Sequence, residues 1–197
     1  MPTGVALRAV RAQLFDAAER VLLRDGPSGL TSRAVTTEAD CAKGVLHRHF
    51  DNFDAFLAEF VLDRVEKLDE ESLRKAVGTG TVVDNLAEAL TAVFESVAVA
   101  IVPLVIFRDE LRARLRREWP AGVPVLTQAA VMIAGYLKAE REKGRIAEDA
   151  DVDTLAATLI GATHLLFADR TGAAPEAEQV RKTVAAVVGS GIRPARR

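Results

Sequence analysis

Cysteine is nearly missing from this sequence. Cys41 is the single thiol among 197 residues, which excludes an internal disulfide and a cysteine-rich metal site and fits a reducing compartment. Long apolar runs are missing too. The longest, Val97 to Phe107, holds 11 residues and contains Pro103, against the roughly 20 needed to span a bilayer. Between Met1 and Asp25 the apolar residues are interrupted by Gln13, Asp16, Glu19 and Arg20, so no leader-peptide core is read and the cytoplasm is the expected location. Charge of one sign is lacking as well: Lys and Arg total 26 against 28 Asp and Glu, a formal net charge of -2, so any basic surface must be local. With 13 Gly, 7 Pro and 49% hydrophobic residues the composition is globular, which excludes disorder for the chain as a whole. There is no phosphate-cradling glycine loop, no Gly-x-Ser-x-Gly elbow and no histidine pair at ligand spacing, so no enzymatic activity, cofactor or metal is expected.

What is present is helical periodicity. Val10, Leu14, Ala17, Ala18, Val21 and Leu22 form one stripe, and no alternating β-branched run is paired with a hairpin turn. The chain reads as all-α. A first helix is expected over about Ala6 to Arg24, stopped by Gly26-Pro27. Thr31 stands where an N-cap belongs for a short second helix ending near Asp40. A third runs from about Ala42 to Phe50, and Asp51-Asn52 cap a long fourth from Phe53 to about Val77. Further helices are expected at Val83–Val102, Pro103–Arg117, Val123–Lys143, Val152–Ala168 and Pro175–Val188. Pro103 is read as a helix start. The domain division is placed at 1–52 and 53–197, a three-helix head followed by a helical bundle.

Two short helices flanking a tight turn at Asp40-Cys41-Ala42, behind a longer helix, make a helix-turn-helix layout. Its third helix, Ala42 to Phe50, carries Lys43, His47, Arg48 and His49 and no acid, so it can approach phosphates, although residues 1–52 hold seven Lys/Arg against six Asp/Glu. His47 and His49 are two positions apart on a helix and diverge by about 200°, which argues against a metal site. Cys41, beside the turn, reads as a small packed residue.

The residues Ala17-Ala18, Gly26, Leu30-Thr31-Ser32-Arg33, Val35, Ala39, Lys43-Gly44, Leu46, His49-Phe50 and Phe56-Leu57 resemble the tetracycline-repressor (TetR) family of transcriptional regulators over about fifty residues. Gly144-Arg145-Ile146 with Asp151-Val152-Asp153 looks like a phrase of the same family. The resemblance implies a homodimer that binds a palindromic operator in double-stranded DNA and releases it when a small ligand binds the C-terminal domain. By position it assigns Thr31, Ser32, Arg33, Lys43, Gly44, Val45, His47 and His49 to the DNA contact. Gly44 and Val45 are suited to close approach and a thymine methyl, Lys43 and Arg33 to guanine or phosphate, and Thr31, Ser32, His47 and His49 to the sugar-phosphate backbone. The chain departs from the family at Thr36 (usually alanine), Asp40 (glycine), His47 (tyrosine) and Phe53 (lysine). Asp tolerates the left-handed backbone that the turn needs. Phe53 cannot supply the usual cation at the start of the fourth helix, so a lower operator affinity is expected.

In the C-terminal half, bulky residues including Phe94, Phe107, Trp119, Met132 and Tyr136 are candidates to wall a cavity for an apolar or amphipathic molecule, or else are plain core. The last two helices, through Ala156, Leu159, Ala162, Thr163 and Leu166 and through Val180, Val184, Val187 and Val188, are the expected dimer face. The alternative to a repressor is a helical ligand-binding or protein-interaction module whose head no longer reads a specific site.

Overall fold

The computed structural model describes residues 4–168 and 174–189. The regular elements among them are eleven helices: α1 (Gly4–Gly29), α2 (Ser32–Glu38), α3 (Val45–His49), α4 (Phe53–Glu66), α5 (Glu70–Lys75), α6 (Val82–Glu95), α7 (Ala98–Ile106), α8 (Asp109–Glu118), α9 (Pro124–Glu142), α10 (Val152–Phe167) and α11 (Ala177–Val188). The protein is all-α, as its periodicity requires. It forms two compact units, Met1–Lys67 with Ala100–Val125, and Leu68–Val99 with Leu126–Arg197.

In the first unit α1 packs on α2 and α4, and α3 on α2 and α4. Of the stripe read from the sequence, Leu14, Ala17, Ala18, Val21 and Leu22 are fully buried and Val10 is half-buried. Phe15, Phe50, Phe56 and Phe60 cluster beside it, with the Phe50 and Phe56 rings edge-on at 5.0 Å. Each such ring contributes about 1.5–3 kcal/mol by leaving water. Arg64 is buried among Asp16, Glu19 and Asp63, and this ion-pair group ties α4 to α1. α1 bends at Gly26, whose φ of 72° lies in the left-handed region that favours glycine, so the expected stop is there and only a single turn follows it.

Three expected spans are corrected. The fourth helix does not run to Val77 but ends at Glu66, because Asp69 accepts from the Ser72 amide at 3.0 Å and caps a new helix while the apolar spacing continues unbroken. Pro103 does not start a helix. The break falls at Ser96, whose hydroxyl donates to the Val93 carbonyl and accepts from the Ala98 amide at 3.2 Å. Pro103 sits inside α7, just past the amides that any first turn leaves unpaired, so it forfeits a single backbone bond. The third helix is shorter than expected, with Gly44 as its N-cap.

In the second unit α6 packs on α11 and α10, and α10 on α11. Val180, Val184 and Val188 of α11 and Ala156, Leu159 and Thr163 of α10 are buried within the chain itself, so most of the expected dimer stripe is covered inside one protomer. The outward side of α10 carries Thr154, Thr158, Gly161 and Leu165, the last 76% exposed. Elsewhere the fully buried Glu140 accepts from the Gly78 amide at 2.9 Å and pairs with Arg145. Arg145 in turn donates to the Gly80 carbonyl at 2.7 Å. Asn85 donates to the Tyr136 hydroxyl and to the Thr79 carbonyl, both at 2.9 Å. Burial, reinforced by Glu140 and opposed by the Asn85 hydrogen bond, holds the Tyr136 phenol above its ordinary range.

Candidate nucleic-acid interface

The site is built on the turn between α2 and α3. Thr31 has an extended backbone (φ -124°, ψ 157°), and its Oγ1 accepts from the Ala34 amide at 3.1 Å, which starts α2. Inside α2, where the resembled family has alanine, Thr36 is buried. Its hydroxyl donates to the Ser32 and Arg33 carbonyls at 3.0 and 3.1 Å, so it is accommodated without an orphaned polar group. Asp40 takes the left-handed conformation expected of it, with φ 50°. The turn is closed by the Cys41 amide on the Thr36 carbonyl at 2.9 Å and tied to α1 by Gln13, which donates to the Ala39 carbonyl at 2.7 Å. Cys41 is half-buried, its thiol donating to the Ala39 carbonyl.

Gly44 has an unremarkable backbone (φ -84°, ψ -1°), and a Cβ placed there would meet no atom within 4 Å. The fold therefore does not require glycine at this position. Thr31, Arg33, Lys43, Gly44, His47 and Arg48 are exposed, while Ser32, Val45 and His49 are half-buried. The sequence-assigned contact residues thus lie on the α2–turn–α3 segment with little covering them. The His49 carbonyl accepts from Arg11 at 3.4 Å, and Arg11 lies 4.5 Å from the centre of the Phe50 ring and pairs with Glu59, so α1 holds the end of α3.

Cations in this part of the chain sort into two sets. Arg11, Arg20, Arg24, Arg64 and Lys67, on α1 and around α4, are each engaged by carboxylates. Hydrogen bonds from Arg20 and then Arg24 hold the Glu38 carboxyl below its ordinary range. Arg33, Lys43 and Arg48, and Arg8 near the start of α1, have no carboxylate within 4.0 Å among the described residues. Arg48 belongs with this set although its position did not mark it as a contact; its place in the acid-free third helix was the signal. Asn52 caps α4 by accepting from the Ala55 amide at 2.9 Å. Phe53 stacks on Phe56 at 5.7 Å. No group of three or more His, Cys, Asp or Glu suited to a metal occurs among the described residues.

The five candidate ligand residues divide between the units. Phe107, 82% exposed, and the half-buried Trp119 belong to the first. Phe94, Met132 and Tyr136, all buried, belong to the second. Phe94 stacks on Phe167 at 5.8 Å and touches His164. An open groove of about 490 Å³ between α6 and α11 is lined by other residues, among them Asp84, Glu88, Thr91, Glu95 and Arg181. No single helix among the described residues is long and apolar enough to cross a membrane.

A helix-turn-helix head on an all-α chain defines a class of regulatory protein, and comparison with known proteins agrees. Residues 14–60 match the family described as bacterial regulatory proteins, tetR family. Solved structures resemble the chain over nearly its full length. GusR of Salmonella enterica is 19% identical with a TM-score of 0.69, over 95% of this chain and 98% of that one. NemR of E. coli in its reduced form is 15% identical with a TM-score of 0.73, over 95% and 100%. FadR of Bacillus subtilis, in complex with stearoyl-CoA, is 19% identical with a TM-score of 0.67, over 92% and 99%. No curated protein matches the chain by sequence. Residues 14–60 thus carry the head of the tetR family of bacterial regulatory proteins, and beyond the head the likeness is one of fold.

Proposed function

We propose that this regulator binds a palindromic operator as a homodimer, through residues 1–52, and that residues 53–197 carry dimerisation and the binding of a small apolar or amphipathic molecule that lowers operator affinity. The observation that supports DNA reading best is the α2–turn–α3 surface: three cations without ion-pair partners among the described residues, beside a glycine that the fold does not need. A net charge of -2 gives no general attraction to DNA, so attraction has to come from this patch. In the proposed assignment Gly44 and Val45 approach bases, Lys43 and Arg33 reach guanine or phosphate, and Thr31, Ser32, His47 and His49 meet the backbone. The Thr31 oxygen already accepts from Ala34, which leaves its hydroxyl proton to donate.

Dimerisation is supported by the outward side of α10, where Thr158, Gly161 and Leu165 follow helical spacing and a Cβ on Gly161 would meet nothing. Ligand sensing is supported in class by the fold neighbour that holds stearoyl-CoA. Selection from a random duplex pool, followed by fluorescence anisotropy, tests the reading. An inverted repeat should emerge, and Lys43→Ala should weaken its binding, with the salt slope falling by about one unit if Lys43 meets phosphate or with relaxed selectivity at one position if it meets a base. A protein that is monomeric at micromolar concentration, or that binds random and selected duplexes equally, refutes it and favours the helical interaction module.

A further inference from the structure

The first unit joins stretches far apart in sequence, and α8 packs along α4 with Leu111 and Leu115 buried. Just before α8 the chain turns a corner, held by the Phe107 amide on the Pro103 carbonyl at 3.0 Å and by Arg112, which donates to the Ile106 carbonyl at 2.7 Å. Arg108 stands at this corner in the N-cap position of α8, with extended backbone and no capping bond from its side chain. Its guanidinium reaches the start of α4 instead. Nε and Nη2 donate to the same Asp54 Oδ1 at 3.0 and 2.7 Å, and the guanidinium carbon lies 5.6 Å from the centre of the Phe53 ring.

Phe53 and Asp54 are the first two residues of α4, directly after the Asn52 cap and close behind α3. Phe53 stacks on Phe56, and Phe56 meets Phe50, the residue that ends α3. One contact series therefore runs from Arg108 to the end of α3. The Arg108 and Asp54 side chains are 34% and 23% exposed, and partly solvated pairs add little to folding. Their geometric effect is larger, because two donors on one oxygen fix the direction of the first turn of α4.

We propose that Arg108 is a positioning residue for DNA reading: through Asp54 and Phe53 it sets the first turn of α4 and with it the presentation of α3. This rests on the operator-binding reading above. It separates cleanly from electrostatics by sign. If charge alone mattered, Asp54→Asn, which removes an anion near the proposed DNA face, would tighten binding. Positioning requires that it weaken binding, as Arg108→Gln does.

The test measures affinity and salt slope for the duplex enriched from the random pool, using Arg108→Gln, Asp54→Asn, the double variant and Arg108→Lys. Each single change should cost about two- to fivefold, the size of a partly exposed pair. The double variant should bind no more weakly than the worse single, the salt slope should hold, and Arg108→Lys should recover part of the loss. Tighter binding by Asp54→Asn, together with a salt slope lowered by about one unit in Arg108→Gln, would overturn the proposal and make Arg108 a phosphate contact. Unchanged affinity in both singles would also overturn it. A second arm needs no DNA: in the free protein Arg108→Gln should speed amide exchange at Phe56, whose N–H bonds the Asn52 carbonyl at 3.1 Å. If the native protein enriches no duplex, operator binding fails as a reading, and this arm still decides whether Arg108 holds the first turn of α4.

Discussion

Gly44→Ala should leave the fold intact and damage DNA binding. On the protein side the added methyl enters open space at φ -84°, ψ -1°, a conformation that alanine adopts freely. Lower chain entropy in the unfolded state favours alanine by about 0.4–1 kcal/mol, and its poorer N-capping opposes this by a similar amount. The net change in stability should stay within about 1 kcal/mol, or about 2–4 °C in Tm for a chain of this size. On the DNA side, a methyl forced into a close-packed contact costs about 1–3 kcal/mol, which is a loss of roughly five- to 150-fold in affinity. Differential scanning fluorimetry and anisotropy on the selected duplex measure the two effects separately. Full affinity in Gly44→Ala would show that the backbone here does not approach DNA. A large fall in Tm would show that the glycine serves the fold after all.

Leu165→Glu should convert a dimer to monomer without lowering protomer stability, since Leu165 is 76% exposed in the single chain; sedimentation velocity at micromolar concentration reads this. Phe56→Ala should destabilise the first unit by about 3–5 kcal/mol, because the ring is fully buried between Phe15, Phe50 and Phe53, and chemical denaturation measures it. Tyr136 predicts an alkaline limb. Its folded pKa is raised, so its contribution is complete below the unfolded value of about 10 and declines as pH rises above it. Tyr136→Phe should flatten the fall of stability above pH 10, and an unchanged slope would remove Tyr136 as its source.

Local chemistry was legible and long-range pairing was not. Thr31, Asn52 and the left-handed Asp40 announce the head because caps and tight turns depend on residues within a few positions of one another. The α4 break was hidden, since Asp69 interrupts a helix without interrupting its apolar spacing. The solvent side of α10 was hidden as well: Ala156, Leu159 and Thr163, read as part of a dimer face, are buried within the chain, and Leu165 is the large apolar residue left exposed. No spacing rule joins Arg108 to Asp54 or Glu140 to Gly78, because those contacts follow from how whole helices pack. For the same reason, sequence reasoning could name Phe53 as a missing cation and not see which guanidinium lies over its ring.

The sorting of cations bears on affinity as well as on place. The proposed dimer would carry a net charge of about twice -2, so its remote charges would repel DNA and its contact charges would have to overcome them. Arg33, Lys43 and Arg48 can neutralise phosphates without first leaving a carboxylate, whereas Arg20 and Arg24 would have to abandon Glu38 to do so. With three such cations on the α2–turn–α3 surface of each of two proposed heads, about six counterions should be released, and log affinity should fall against log salt with a slope of about -5. Titrations of the selected duplex between about 50 and 200 mM salt give this number directly, a range in which affinity should fall by roughly a thousandfold. A slope nearer -10 would mean that the paired arginines exchange their carboxylates for phosphates on binding. In that case Glu38→Gln would raise affinity by freeing Arg20 and Arg24; with a slope near -5, the same substitution would gain only the small benefit of one fewer negative charge.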